Sequence, residues 1–261
     1  MGGAHVVAGA LTGLVVGMTG VGGGALMTPI LLLVFDSVPL TAVGTDLWFA
    51  AITKLAVSGL HLRQRLIDWQ VARRLWCGSL PASALTLLWM AYFPADGGSR
   101  SMVRLAIAVA VGVTAVSLLA RPIRPAGRGE RTPEAAMSAH WEAGATVAAG
   151  AVLGALVTLT SVGAGALGAV ALVRLYPERL TPSRLVATDI AHAIPLAICA
   201  GAGHLAISQV DGGLLAGLLA GSIPAALLGA RLSVRVPGAL LRRLLGVVLL
   251  LISVAMLVSG R

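Results

Sequence analysis

Two glycine-rich clusters are the residues of this sequence best suited to binding a ligand. The first holds Gly20, Gly22, Gly23 and Gly24 after Thr19, and the second holds Ser161, Gly163 and Gly165 after Thr160. Glycines interrupt a helix, and a new helix that starts after the break presents unpaired N–H groups and a positive dipole end. Such an end binds an anion without a buried cation. The pattern therefore predicts an anion site at both clusters, with the two threonine hydroxyls as additional donors.

Close packing of helices is the alternative explanation of glycine in apolar segments. Glycines at every fourth position are typical of helices that touch. Gly9, Gly13 and Gly17 follow this spacing, as do Gly150 and Gly154. We assign these five glycines to packing and the two clusters to the binding site.

Lys54 is the only lysine and lies near the middle of an apolar segment. A charge there costs about 2.5 to 3.5 kcal/mol on insertion scales, so intramembrane charges usually have a function. Lys54 is predicted either to attract an anion or to form a structural ion pair with an acid on another helix. The sequence leaves both open.

Each half of the chain carries a Thr-Asp pair followed by a histidine. Thr45 and Asp46 precede His61, and Thr188 and Asp189 precede His204. Within a half the acid and the histidine are about 22 Å apart along a helix, but inverted halves would place Asp46 level with His204 and Asp189 level with His61. These pairs are candidates for proton coupling, and the two threonines are candidate substrate-binding residues. The alternative makes the aspartates helix caps and, as the favoured reading, the histidines interfacial anchors.

The composition requires a lipid environment for the elements that carry these residues. Of the 261 residues 57% are hydrophobic and 11% charged, with mean hydropathy +0.94. Six apolar segments approach or exceed the roughly 20 residues that a helix needs to span a bilayer. They cover residues 40–62, 69–93, 102–120, 183–205, 212–232 and 240–258. Because hydrocarbon offers no partner to backbone amides, and the segments lack the alternation of barrel strands, an all-α polytopic membrane protein is predicted.

The remaining side chains exclude other classes of protein. The net charge of +9 comes from arginines in short connections, without a basic run interleaved with aromatics, so nucleic acid is not expected. Cys77 and Cys199 are single cysteines far apart in the sequence, without the close spacing of metal ligands. The sequence indicates neither a metal site nor a nucleophile with a nearby base. We expect no enzyme activity and no cofactor. The expected partners are a small anionic solute and the bilayer, and the oligomeric state is undetermined.

The chain contains an internal duplication. Thr19, Val21 and Gly22 recur as Thr160, Val162 and Gly163, and later positions recur with polar as well as apolar identities. The later matches are Thr45 and Asp46 with Thr188 and Asp189, His61 with His204, Asp68 with Asp211, and Pro81 with Pro224. Two transmembrane repeats are predicted at 1–120 and 143–261, joined by a polar linker at 121–142. Each has one glycine-interrupted segment followed by three helices.

The distribution of arginine predicts the topology. Each interrupted segment, 6–35 and 143–175, is long for one span and suits two half-helices. Full crossing would divide the arginines equally between the two sides, contrary to the positive-inside rule. Re-entrant segments place fifteen on one side, in the connections 62–74, 121–140, 174–184 and 231–243, and leave Arg100, Arg104 and Arg261 opposite. A multi-pass protein of the cell membrane with inverted halves and both termini outside is predicted.

The glycine cluster, the repeated polar positions and the run 236–243 together resemble the sulfite exporter TauE/SafE family of membrane transporters. The motifs continue with Pro29, the run 42–45, His61, Asp68 and Trp69, and then Gly78, Ser79 and Pro81. The resemblance covers nearly the whole chain. It implies export or uptake of sulfur oxyanions or organosulfonates, driven by an ion gradient. A passive anion channel and a nonenzymatic membrane partner subunit are the alternatives.

The chain departs from the family pattern at two places. The family usually has serine after the Gly-Thr pair, where this chain has Asp46 and Asp189. An acid near an anion path repels the substrate unless it is protonated or paired. The second glycine cluster has Ser161 and Ala164 where the first has Gly20 and Gly23.

Overall fold

Apolar runs fold as helices throughout the described part of the chain. A computed structural model describes residues 2–19, 24–62, 66–92, 97–120, 135–207, 210–232 and 238–259. The helices are α1 Gly2–Thr19, α2 Gly24–Leu33, α3 Pro39–Leu62, α4 Trp69–Tyr92, α5 Gly97–Leu119, α6 Ala135–Thr160, α7 Ala166–Leu175, α8 Pro182–Ile207, α9 Gly212–Leu232 and α10 Gly238–Ser259. No strand occurs among these residues.

The prediction of an all-α polytopic membrane protein is confirmed. Among the described helices six are long and apolar enough to cross a membrane, namely α3, α5, α6, α8, α9 and α10. The six segments predicted from the sequence included α4, which is less apolar than a spanning helix, and did not include α6, which is apolar enough. Helix α6 also begins at Ala135, inside the predicted linker. The linker residues 121–134 lie outside the described ranges.

Glycines let α1 lie directly against α9, and α6 against α4. A Cβ added to any of them would overlap the backbone of the neighbouring helix. The approaches are Gly9 to Leu218, Gly13 to Ser222, Gly17 to Ala226, Gly150 to Leu75 and Gly154 to Ser79. Because the residue numbers rise together, the paired helices run parallel. The assignment of these five glycines to packing is confirmed.

Corresponding helices of the two halves lie antiparallel. Gly44 near the start of α3 contacts His204 near the end of α8, while Trp48 contacts Gly201. On α5 and α10, Ser253 Oγ donates to the Ala108 carbonyl at 2.9 Å, and Gly246 contacts Leu119. This pairing is the one that inverted halves require.

Each broken segment returns to the end of the bundle where it began. The rings of His5 in α1 and Phe35 after α2 lie 4.9 Å apart, and Thr146 Oγ1 of α6 lies 2.7 Å from the hydroxyl of Tyr176 after α7. From His5 to Thr19 the helix advances about 21 Å, less than the ~30 Å hydrocarbon core. The arms before and after each break therefore lie side by side, as in a hairpin, and α1 alone is too short to span the hydrocarbon core.

An ion pair joins two of the arginine-bearing connections. Arg179 Nε donates to Asp68 Oδ2 at 2.7 Å, and Arg184 lies 3.8 Å from the same oxygen. Burial favours the neutral acid, but hydrogen bonds from Arg179 and the Val71 N–H, with both arginine charges, hold the pKa of Asp68 below its usual range. Connections 62–74 and 174–184 thus lie together, as the topology predicted.

Candidate functional site

The two helix breaks meet inside the bundle. Gly24, the first residue of α2, lies so close to Ser161 that an added Cβ would overlap the serine carbonyl oxygen. Ser161 directly follows α6, whose counterpart α1 precedes the first break. The clusters that the sequence indicated are therefore brought together. Gly20, Gly22 and Gly23 themselves lie outside the described residues.

The second break has a backbone that only glycine adopts easily. Gly163 and Gly165 have φ of 122° and 148°, and Ser161 has φ of 58°. Helix α7 begins at Ala166, and Gly165 at its N-cap supplies no side-chain hydrogen bond. The start of α7 thus presents backbone amides and a positive dipole end without a side-chain cap.

Lys54 reaches this break from the middle of α3. Its Nζ donates to the Ala164 carbonyl at 2.9 Å, and the side chain is 4% exposed. Its charge acts on Asp189 of α8 and on Asp46 of its own helix. The described ion pairs within 4 Å are those of Asp68, so Lys54 contacts neither acid directly. Lys54 therefore places a positive charge at the break and shares it between two acids.

Asp46 is fully buried about two turns before Lys54 on α3. Thr28 Oγ1 of α2 donates to Asp46 Oδ2, and Oδ1 has no hydrogen-bond partner. Asp46 lies inside α3, which begins at Pro39. The helix-cap alternative is wrong for Asp46, and a carboxylate oxygen is left unpaired near the broken segment.

Asp189 occupies the corresponding place in the second half. It lies inside α8, so the cap alternative is wrong here too. A Cβ on Gly168 of α7 would overlap Asp189 Oδ1, which is buried and has no hydrogen-bond partner. Gly168 therefore gives the carboxylate direct access to the backbone of the broken segment.

The structure adds His192, which the sequence analysis had not selected as a site residue. One turn after Asp189, its Nε2 lies 3.0 Å from Ser79 Oγ and its Nδ1 has no partner. The side chain is fully buried. Its spacing of three from Asp189 places both on one face of α8, which was the available signal.

The four candidate threonines bond to the protein. Thr19 and Thr160 donate to carbonyl oxygens one turn earlier, at 2.7 and 2.6 Å. Thr45 Oγ1 accepts from the Asp211 N–H and Thr188 Oγ1 from the Asp68 N–H. The hydrogen bonds of Thr45 and Thr188 join the starts of α9 and α4 to helices of the opposite half. These contacts give all four hydroxyls a structural role.

Of the two predicted acid and histidine pairs, the described side chains include Asp46 with His204, and His204 packs against Gly44, two residues before Asp46. His204 is buried, with Nε2 2.8 Å from the Thr158 carbonyl, while Asp46 bonds to Thr28. Because His204 is fully buried, the interfacial-anchor reading is wrong for it. The side chain of His61 lies outside the described residues, so its pairing with Asp189 stays a prediction.

The site thus combines one ammonium, two carboxylates and the backbone of two broken helices. Opposite charges and dipole ends in a buried region are the features with which membrane proteins bind small ions. Within the described ranges no three histidine, cysteine or acidic side chains are grouped to hold a metal ion.

Comparison with known proteins agrees with the sequence motifs. The family model described as sulfite exporter TauE/SafE matches residues 5–256. The probable membrane transporter protein YjnA of Bacillus subtilis (strain 168) is 37% identical over 236 residues, covering 88% of this chain and 89% of the relative. No solved structure matches the chain. With the family model matched over nearly its whole length, this chain belongs to the sulfite exporter TauE/SafE family.

Proposed function

We propose that the protein is a secondary transporter of small anions, of the sulfur oxyanion or organosulfonate class, driven by an ion gradient. The observation that carries the proposal is the meeting of Gly24 with Ser161 beside Lys54. Two hairpins end there, and hairpins that meet inside a bundle are the usual place of a substrate site in transporters with inverted halves.

The substrate is proposed to bind between Lys54 and the start of α7. An anion at this point would receive amide donors from the helix start and attraction from the ammonium, whose one hydrogen bond within the described part of the chain goes to the Ala164 carbonyl. The family description supports a sulfur-containing anion as the substrate class, and the name of the relative supports membrane transport.

Counterflow in liposomes tests the proposal. Vesicles that contain purified protein and unlabelled thiosulfate or methanesulfonate should transiently accumulate the labelled external anion. A passive channel cannot concentrate its solute this way, so equilibration without an overshoot would identify the channel. No movement above empty vesicles would leave the partner-subunit alternative.

Lys54→Met should lower the initial rate at least tenfold, because it removes the charge that attracts the anion while keeping the length of the side chain. Ser58→Ala is the matched control, since Ser58 lies one turn further along α3 and bonds only to the Leu55 carbonyl of its own helix. The control should transport at the unaltered rate. Equal transport by Lys54→Met and the control would overturn the role of the lysine.

A further inference from the structure

The charges at the meeting point of the breaks do not balance. One ammonium, Lys54, acts on two buried carboxylates, Asp46 and Asp189, and all three side chains are at most 4% exposed. With His192 uncharged, the group carries one negative charge when both acids are ionised. An arriving monovalent anion such as methanesulfonate would raise this to two, and divalent thiosulfate to three, in a buried region where charge repulsion is strong.

The neighbouring helices offer no second cation to offset that charge. Among the described residues around Asp189, α3 presents Lys54, α7 presents Gly168 and α6 presents the apolar Leu153. From the start of α4 comes Asp68, which is already paired with Arg179. His192 on α8 is held by Ser79.

Both acids have the geometry to take up a proton. Among the described residues, Oδ1 of Asp46 and Oδ1 of Asp189 are buried without a hydrogen-bond partner, and the Ser161 hydroxyl also faces the Asp46 carboxylate. A protonated oxygen at either position removes one negative charge and gains a donor that a bound oxyanion accepts. The glycine at position 168 leaves Asp189 in contact with the backbone of the broken segment.

We propose that each anion binds together with one proton, which is taken from the aqueous phase onto the Asp46–Asp189 pair and released with the anion on the other side. This inference rests on the proposed function and names its coupling ion. It follows from the charge count and the two unpartnered oxygens. The two acids that replace the family serine are then the coupling device of this chain.

The pH dependence of binding is the first test. If one proton accompanies the anion, the apparent Kd rises towards tenfold per pH unit once the empty site is deprotonated. Methanesulfonate and thiosulfate keep their charge from about pH 6 to 9, so the slope reports on the protein. A Kd of either anion that is flat over this range would overturn the proposal.

Neutralising either acid should remove the coupling. Asp46→Asn and Asp189→Asn each leave one ammonium facing one carboxylate, so an anion binds without a proton and the slope falls to zero. Asp211→Asn is the matched control, because the Asp211 side chain accepts from the Leu214 N–H at the start of α9 and its backbone N–H, which bonds to Thr45, is unchanged, so the slope should remain one. A slope of one in both site variants would refute the assignment to this pair.

Proton movement with the anion separates this inference from the proposed function. Vesicles with an internal pH dye should acidify as external methanesulfonate or thiosulfate enters. Anion entry without acidification refutes the coupling and retains the transporter. Wild-type vesicles without anion entry would instead refute the proposed function. The wild-type measurements alone decide the question if an Asn variant fails to fold.

Discussion

At the scale of single residues, Ser161 holds a backbone conformation that is unfavourable for any residue with a side chain. Its φ of 58° places it in the left-handed region, which costs an L-residue about 1 to 2 kcal/mol. The other half has Gly20 at the matching position. Strain of this kind persists where the surroundings enforce it, and here the backbone of Ser161 lies against Gly24.

Ser161→Gly should therefore stabilise the protein by about 1 kcal/mol, because glycine adopts positive φ freely. Thermal unfolding in detergent measures the change. Ser117→Gly is the control, since Ser117 lies in regular helix and bonds its own turn. There glycine should lower stability by about 0.5 kcal/mol. A similar loss of stability in both variants would show that the backbone of Ser161 is not strained.

The ion pair of Asp68 should make the stability of the protein depend on pH in the acid range. Its folded pKa lies below the unfolded value of about 4, so its contribution is complete above that pH and is lost as the pH falls through the folded pKa. Asp68→Asn keeps a helix-capping side chain but removes the ion pair, at a cost of up to about 1 kcal/mol.

Melting temperatures of the wild type and Asp68→Asn, compared from about pH 7 to pH 3, measure the effect. The difference should be largest at neutral pH and should vanish at the acid end. A difference that is constant with pH would show that the pair with Arg179 contributes nothing.

The candidate site was predictable only in part from residue types. Lys54 and the two aspartates stand out because a charge in an apolar helix is costly. The hydrogen-bond partner of Lys54, the Ala164 carbonyl, is a backbone atom that no side-chain pattern indicates. For His192 the only signal is its spacing of three from Asp189, and that spacing is shared by side chains that merely pack.

At the scale of helices, glycine faces determine which helices touch. Gly154 lies against Ser79 of α4, whereas Gly144 on the same helix has open space around its Cα. Small residues allow this close backbone approach in a membrane, where no hydrophobic effect drives helices together.

Gly154→Ala should destabilise the protein by about 1 to 3 kcal/mol, because the added methyl group forces α6 and α4 apart. Gly144→Ala, the control, should be neutral or stabilise by up to about 1 kcal/mol, since alanine favours helix and meets no neighbour. Thermal unfolding of both variants provides the comparison. An unchanged melting temperature for Gly154→Ala would mean that the close contact does not form.

The helices themselves were largely predictable, since apolar length alone fixes a spanning segment. The predicted segment 212–232 coincides with α9. The start of α6 was not foreseen, because residues 135–142 are polar enough to resemble a linker.

At the scale of the whole molecule, each end of the bundle gathers elements from both halves. Pro39 at the start of α3 shares a cavity with Arg104 near the start of α5 and Leu257 near the end of α10. At the other end Asp68 meets Arg179. Hydropathy could not predict this arrangement, because it does not distinguish a hairpin from a crossing. The count of arginines does distinguish them, because a hairpin and a crossing assign the arginine-bearing connections to different sides of the membrane.

Labelling of single cysteines distinguishes a hairpin from a crossing. Val38, between α2 and α3, and Glu178, between α7 and α8, are exposed in the structure. Hairpins place them on opposite sides of the membrane, whereas two full crossings place them on the same side. In a background with Cys77→Ala and Cys199→Ala, a membrane-impermeant maleimide added to intact cells should label Val38→Cys and leave Glu178→Cys unlabelled until the membrane is opened. Labelling of both from outside would exclude the hairpins, and labelling of Glu178→Cys alone would reverse the orientation that the arginines predict.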